Sequence, residues 1–589
     1  MKSVKYQFEL VDIAAHMLRV TLQFSPRQPS TVLSLPAWIP GSYMIRDFAR
    51  NITSIRAFDQ GGALKLTQLD KQRWQLECNS DVVTVEYKVY AYDLSVRAAY
   101  IDDEVAILNP ACLCLAVEGQ QALPNQLNLV KPVVSACKDW RVATALPHHS
   151  TTKVLGFGRY QAANYDELID RPLLLGRFSL SQFSIDEVPH YVVVSGSNRT
   201  DLTRFTHDLA KICQQQKTVF GALPDDLTQY WFLLWVTEDG YGGLEHKDST
   251  LLLCSRFDLP APGATEIDDN YQNLLALCSH EYFHTWWVKR LKPACFHPYQ
   301  LHAEQYTSQL WLYEGFTSYF DDLALAKAGL IKAERYISNL EKTISRVTRN
   351  PSDSVQSLLE SSFTAWTKFY KQDENAPNAV VSYYAKGALL ALCLDAHLRT
   401  NGSSLQQLVR WLWQHYLCTG TDDNAVECSL TQMGFAEIAA LSAQWLSQAA
   451  PLPLQQILPA LGLELVFRPM QHMDDNGGTS NNDSIFIGAQ TTVVNGLLQL
   501  SQVYQGGNAH NAGLMAGDQL LAIDGVKVSA NNLSKLLSRY SVGDQLKVHF
   551  YRKDRLLSAN LMLNTATQQV AILTIKDEVL CNAWLAVSD

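Results

Sequence analysis

The most chemically loaded stretch of the chain is Ser279-His280-Glu281-Tyr282-Phe283-His284-Thr285. At 3.6 residues per helical turn, His280 and His284 leave one face about a turn apart. That spacing lets both imidazoles reach a single cation at about 2.0–2.1 Å, the distance zinc asks of nitrogen. Glu281, beside the first histidine, can contact a water on such a metal without binding the metal itself. A carboxylate there can take the water's proton and hand it to a leaving amine. The plain alternative is three polar residues on an amphipathic helix, so the surroundings have to decide.

A catalytic zinc needs a third protein ligand and an open fourth position. The metzincin pattern would put glycine at 287 and histidine at 290, where this chain has Trp287 and Arg290, and that class is excluded. Spacing alone proposes Glu304. Glu314 lies in QLWLYEGFTSYF, so apolar a segment that a carboxylate is costly to bury there unless a cation meets it. Glu314 is therefore favoured, with Glu304, His297 and His302 as further candidates.

Two other stretches carry chemistry. In Gly240-Tyr241-Gly242-Gly243-Leu244-Glu245-His246, Gly242 and Gly243 permit a strand to approach a ligand closely. Period two places Glu245 and His246 on opposite faces, so only one can look into a cleft; the alternative is a turn followed by a surface Glu-His pair. Tyr383 and Tyr384 precede Ala385-Lys386-Gly387, and periodicity alone reads both as core aromatics, as it does Trp286 and Trp287.

The elements that must position these residues follow from length and pattern. A chain of 589 residues exceeds the roughly 250–300 at which one hydrophobic core stops growing. Residues 1–185 read as an antiparallel β domain, with Val83, Val85, Tyr87, Val89 and Ala91 recurring at period two. Residues 186–325 mix a helix near 200–220 with the strand-like FLLWV and LLLC and then the histidine helix. Residues 326–460 are helical, part of a helical periodicity that runs from about 303 to 448. Pro451-Leu452-Pro453 and the polar run 474–484, read as a mobile loop, mark the entry to a last domain, 461–589, of short strands. The fold class is multidomain α+β.

Composition narrows the partners. The net charge is −10, with no basic run to follow a phosphate backbone or an anionic bilayer, which argues against nucleic acid and membrane. The N-terminus has no unbroken apolar core, no later stretch offers about 18 apolar residues, and twelve scattered cysteines include no CxxC pair. A cytoplasmic, reducing location is expected.

HEYFHTWWVKR followed by WLYEGFTSYF resembles the M61 family of zinc aminopeptidases, the glycyl aminopeptidase group, related to the M1 aminopeptidase N-type enzymes. The likeness extends to PAWIPGSYMIRDFAR (36–50), DLSVRAAYIDDE (93–104), GYGGLEH and YYAKGALLAL (383–392), nearly the whole chain. It implies a thermolysin-like catalytic domain over 186–325 and zinc held by His280, His284 and Glu314. It further implies that Glu281 is the general base and then acid, that Glu245 grips the substrate's free α-ammonium, and that Tyr384 stabilises the oxyanion. Peptides with a free N-terminus would be the substrate, glycine and alanine the residues removed. The rivals are an endopeptidase of the same fold and an inactive interaction protein.

NAGLMAGDQLLAIDGVKV (511–528) resembles a PDZ domain of bacterial proteases. Gly513, Gly517 and Gly525 suit turns with positive φ, and Leu514, Leu520, Leu521 and Ile523 are expected to pack inward. Such domains take a peptide C-terminus as an added strand. Ile485–Ala489 is the candidate carboxylate loop although it lacks the usual GLGF form, and a purely architectural module is the alternative.

Overall fold

The computed structural model describes residues 3–472, 475–479, 485–564 and 568–585. Of the loop expected over 474–484, residues 474 and 480–484 lie outside the described residues. The chain forms two compact units, residues 1–305 with 413–422 and residues 306–412 with 423–589.

The first unit opens with the β domain. Its largest sheet has seven strands, and the strand Val83–Tyr90 shows why: Val83, Val85, Tyr87 and Val89 are buried while Glu86 and Lys88 turn outward. Pairing is antiparallel except where Val4–Asp12 runs parallel to Asn125–Leu129, which needs the long excursion that the intervening chain supplies.

A mixed five-stranded sheet follows, in the order Phe178–Ile185, Val188–Ser195, Tyr230–Thr237, Ser249–Ser255, Gly242–Glu245. The three central strands are mutually parallel, and both outer ones are antiparallel to their neighbours. Tyr230–Thr237 reads YWFLLWVT without alternation because both its faces are covered. The helices Leu202–Phe220 and Asp269–Phe283 pack on this sheet, the second against the edge strand Gly242–Glu245.

The second unit is helical and then β. The helix Ala385–Thr400 is buried nearly all round: most of its residues are aliphatic, and Lys386 and Asp395 are buried among them. Helical periodicity is interrupted over 364–384, where KQDENAPN supplies polar residues and a proline, and only Ala376–Ala379 is helical there. The PDZ-like sheet has a core of its own. Gly513, Gly517 and Gly525 have φ of 75°, 91° and 79°. Leu514, Leu520 and Ile523 are buried, but Leu521 is half-exposed because it falls at the register shift between Leu520 and Ala522, outside the alternation of the strand Gln519–Ile523. No helix among the described residues is long and apolar enough to cross a membrane.

Candidate active site

The helix Asp269–Phe283 begins at Asp268, whose carboxylate accepts from Tyr271 N at 2.8 Å and caps it. At its other end the rings of His280 and His284 lie 4.8 Å apart, centroid to centroid. His284 is buried, and its Nδ1 is 3.2 Å from the Trp287 carbonyl. A proton on Nδ1 donated to that oxygen makes Nε2 the nitrogen whose lone pair can meet a metal.

What holds the Trp287 carbonyl in place was not evident in the sequence. The chain reverses at Val288, whose φ of 73° is left-handed and disfavoured for a β-branched residue. Arg290 braces the reversal: it donates to Thr285 O at 2.7 Å and Lys247 O at 2.8 Å and pairs with Asp226 at 2.7 Å and Asp248 at 3.2 Å. Trp286 stacks on Phe220 and donates to Ala222 O. Both tryptophans are fully buried.

Alternation along Gly242–Glu245 sorts the next residues. Gly243 faces Glu281 so closely that a Cβ added there would overlap the glutamate's carboxylate. Glu245, two residues on, shares that face. It is buried, its Oε1 has no hydrogen-bond partner, and a Cβ at Gly41 would overlap its carboxylate. Gly41 also has φ of 93°, so glycine is required there twice over. The GSYMIRDF segment therefore backs onto Glu245 at Gly41.

His246 points the other way. Its Nδ1 is 3.3 Å from Asp170, which also accepts from Lys289 Nζ at 2.6 Å and Lys247 N at 2.8 Å. Burial works to raise the Asp170 carboxyl, yet the Lys289 ammonium and His246 hold it well below the usual carboxylate range.

Glu314 is buried in a π-helical turn, Trp311–Gly315, a local widening often found at functional sites. Gly315 meets Gly387 of the following motif backbone to backbone: a Cβ at Gly315 would come within 2.6 Å of Gly387 Cα. The two glycines thus bring WLYEGF and YYAKG together. Tyr384, partly open to solvent, has its hydroxyl pKa raised by burial and next by the charge of Glu314, so it stays protonated as a donor. Tyr383 is fully buried and stacks on it at 4.7 Å. Lys386 is buried, paired with Asp353 and donating to Ala450 O at 2.9 Å.

A donor atom from each of His280, His284 and Glu314 lies within 4.8 Å of the others, the one cluster of three or more such groups among the described residues. The other candidates for the third ligand, Glu304, His297 and His302, are exposed and outside it.

Comparison with known proteins agrees with these motifs. Residues 5–177 match the Peptidase M61 N-terminal domain, 273–390 the M61 glycyl aminopeptidase domain and 485–563 a PDZ domain. Curated proteins gave no match. Among solved structures, an aminopeptidase N family protein from Idiomarina loihiensis is 40% identical, with a TM-score of 0.95 over 99% of this chain and 100% of that one. An M1 zinc metallopeptidase from Deinococcus radiodurans is 12% identical (TM-score 0.49, 77% of this chain and 95% of that one). A mutant M1 zinc metallopeptidase from the same organism, bound to a Tyr-Ser-Ala substrate, is also 12% identical (TM-score 0.47, 77% and 94%). Likeness at that level carries no argument here. The end-to-end match to the first structure and the two M61 domains place the chain in the M61 glycyl aminopeptidase family, peptidases that here carry a C-terminal PDZ domain.

Proposed function

We propose that the protein is a zinc-dependent aminopeptidase that releases N-terminal residues, small ones first, from peptides with a free amino terminus. The donor set fits zinc: two imidazoles, one with its Nδ1 held at the Trp287 carbonyl, and one buried carboxylate, Glu314. Zinc bound there would polarise the scissile carbonyl and lower the pKa of a water to about 7.

The chain's own residues do the rest. Glu281 accepts the proton of the attacking water and delivers it to the leaving amine. The Tyr384 hydroxyl, kept protonated by burial, donates to the oxygen on which negative charge develops. Glu245 takes the α-ammonium in a charge-assisted contact, and a peptide lacking that group leaves the buried carboxylate unpaired. A preference for glycine is supported by the match to the M61 glycyl aminopeptidase domain, and alanine, one methyl larger, is the next residue expected. The PDZ domain offers Ala489–Val494, at the end of its sheet, as a strand to which a peptide C-terminus could add.

The observation that carries this reading is the placement of Glu245: buried, its Oε1 unpartnered, on the strand face that meets Glu281 through Gly243. The deciding experiment compares a glycyl or alanyl chromogenic amide with its N-acetylated twin on the zinc-loaded protein. Cleavage of the free amine alone is expected. Equal cleavage of both would assign an endopeptidase instead, and no cleavage of either would favour the interaction protein.

A further inference from the structure

A second unmatched charge lies beside the same strand. Arg97 sits in the loop after the strand Val83–Tyr90, between the buried Val96 and Ala98, with its backbone N donating to Ser95 Oγ at 3.2 Å. Its side chain reaches towards Gly242 and Gly243. Its Nη1 would lie 3.8 Å from a Cβ on Gly242, and its Nη2 reaches the Gly243 carbonyl only at 3.5 Å. Among the described residues that carbonyl is the guanidinium's single polar partner, and Nε is buried with none. A half-buried guanidinium without a carboxylate is unfavourable until an anion arrives, and its planar fork is shaped for a carboxylate.

The positions of the two charges match a substrate. Glu245 is two strand residues from Gly243, about 7 Å at the rise of a β-strand. Two residues of an extended peptide span about 7 Å as well. Gly243 lies against Glu281, so the proton-transfer carboxylate stands beside the same residue whose carbonyl Arg97 reaches. We propose that Arg97 binds a carboxylate on the leaving-group side of the substrate, the C-terminus of a dipeptide or tripeptide, and so makes short peptides the preferred substrate class. This rests on Glu245 as the ammonium anchor: the peptide is held by its two charged ends.

The test uses the zinc-loaded full chain with Ala-Ala, its C-terminal amide, and Ala-Asp amide, in which the only carboxylate is on a side chain. The wild type should show kcat/KM about 10- to 100-fold higher for Ala-Ala than for its amide. Arg97→Gln should abolish the difference between Ala-Ala and its amide, and Arg97→Lys should recover part of it. Equal rates in the wild type, or a preference that survives Arg97→Gln, overturn the proposal. Ala-Asp amide outperforming Ala-Ala overturns the C-terminal assignment in favour of an acidic side chain.

Should the wild type cleave none of the three, the aminopeptidase reading has failed, and binding to Glu281→Gln protein measured by calorimetry judges Arg97 separately. Tighter binding of Ala-Ala than of its amide, lost on adding Arg97→Gln, supports the carboxylate site. Equal binding removes it.

Discussion

Gly243 has ordinary extended backbone, with no positive φ to demand glycine; its neighbour demands it, because Glu281 occupies the space a methyl group would take. The overlapped atoms are the carboxylate and Cγ of a side chain that can rotate, not backbone, so Gly243→Ala should displace the carboxylate rather than the fold. Turnover is expected to fall about 100-fold or more, the range in which general-base catalysis operates. Zinc content should be unchanged, and thermal stability within about 1 kcal/mol of the wild type. A variant with full turnover would show that Glu281 works from another position. Glu281→Gln should likewise keep the metal and lose most turnover, since the amide cannot accept the proton. The i, i+4 histidines and the alternation of Glu245 with His246 could be read from sequence because both are local periods. Gly41 and Arg97 could not be assigned a role, because the groups they face lie about 150 to 200 residues away and leave no periodic trace.

Between residues and domains stand the elements that hold them, and two are under visible constraint. After the histidine helix the chain turns back through a left-handed valine, and the buried guanidinium of Arg290 ties that turn to Asp226, Asp248 and two backbone carbonyls. Arg290→Met would strip the two carbonyls of their donor and leave Asp226 to Lys247 and Asp248 to Arg171, and removal of one partner from a buried ionic network costs up to about 3–5 kcal/mol. The same change frees the Trp287 carbonyl that orients His284, and loss of such an outer contact lowers metal affinity about 10- to 100-fold. Differential scanning calorimetry and a competitive zinc titration measure the two effects. Unchanged zinc affinity in a destabilised variant would confine Arg290 to the fold. The glycine contact between Gly315 and Gly387 is the second constraint: both neighbours are backbone and cannot yield as a side chain does. The spacing of each motif was plain in the sequence, but that their glycines meet was not, since nothing local distinguishes a glycine in a helix–helix contact from one in a turn.

At the scale of the second unit, the PDZ match at 485–563 is bracketed by two strands of one small sheet: Leu463–Pro469 pairs antiparallel with Gln568–Ile575. The returning strand is fastened to the helix Ala333–Thr348. Leu573 N donates to Glu341 at 2.7 Å and Ala571 N to Ser345 Oγ at 2.9 Å, while Thr348 Oγ1 donates to Gln569 O at 2.6 Å. Beyond it Trp584 is buried, its Nε1 donating to Tyr319 OH at 3.0 Å. The turn chemistry of the PDZ domain was legible, glycine by glycine, whereas this pairing across about 100 residues was not. The PDZ domain has its own hydrophobic core and touches the helical part through Asn378, whose side chain donates to Val503 O at 2.9 Å and accepts from Gln505 N at 2.8 Å. Topologically it is an insertion, and the segment after it belongs to the helical layer. Two deletions should therefore behave in opposite ways. A chain ending at residue 484 loses the second strand and Trp584, exposes apolar surface on the helix Ala333–Thr348, and should be insoluble or melt far below the wild type. A chain in which residues 485–563 are replaced by a short glycine-serine linker keeps the paired strands, and should melt cooperatively and retain hydrolysis of a small alanyl amide. If the excised chain is as unstable as the truncated one, the PDZ domain itself, through contacts such as those of Asn378, is what holds the helical layer together.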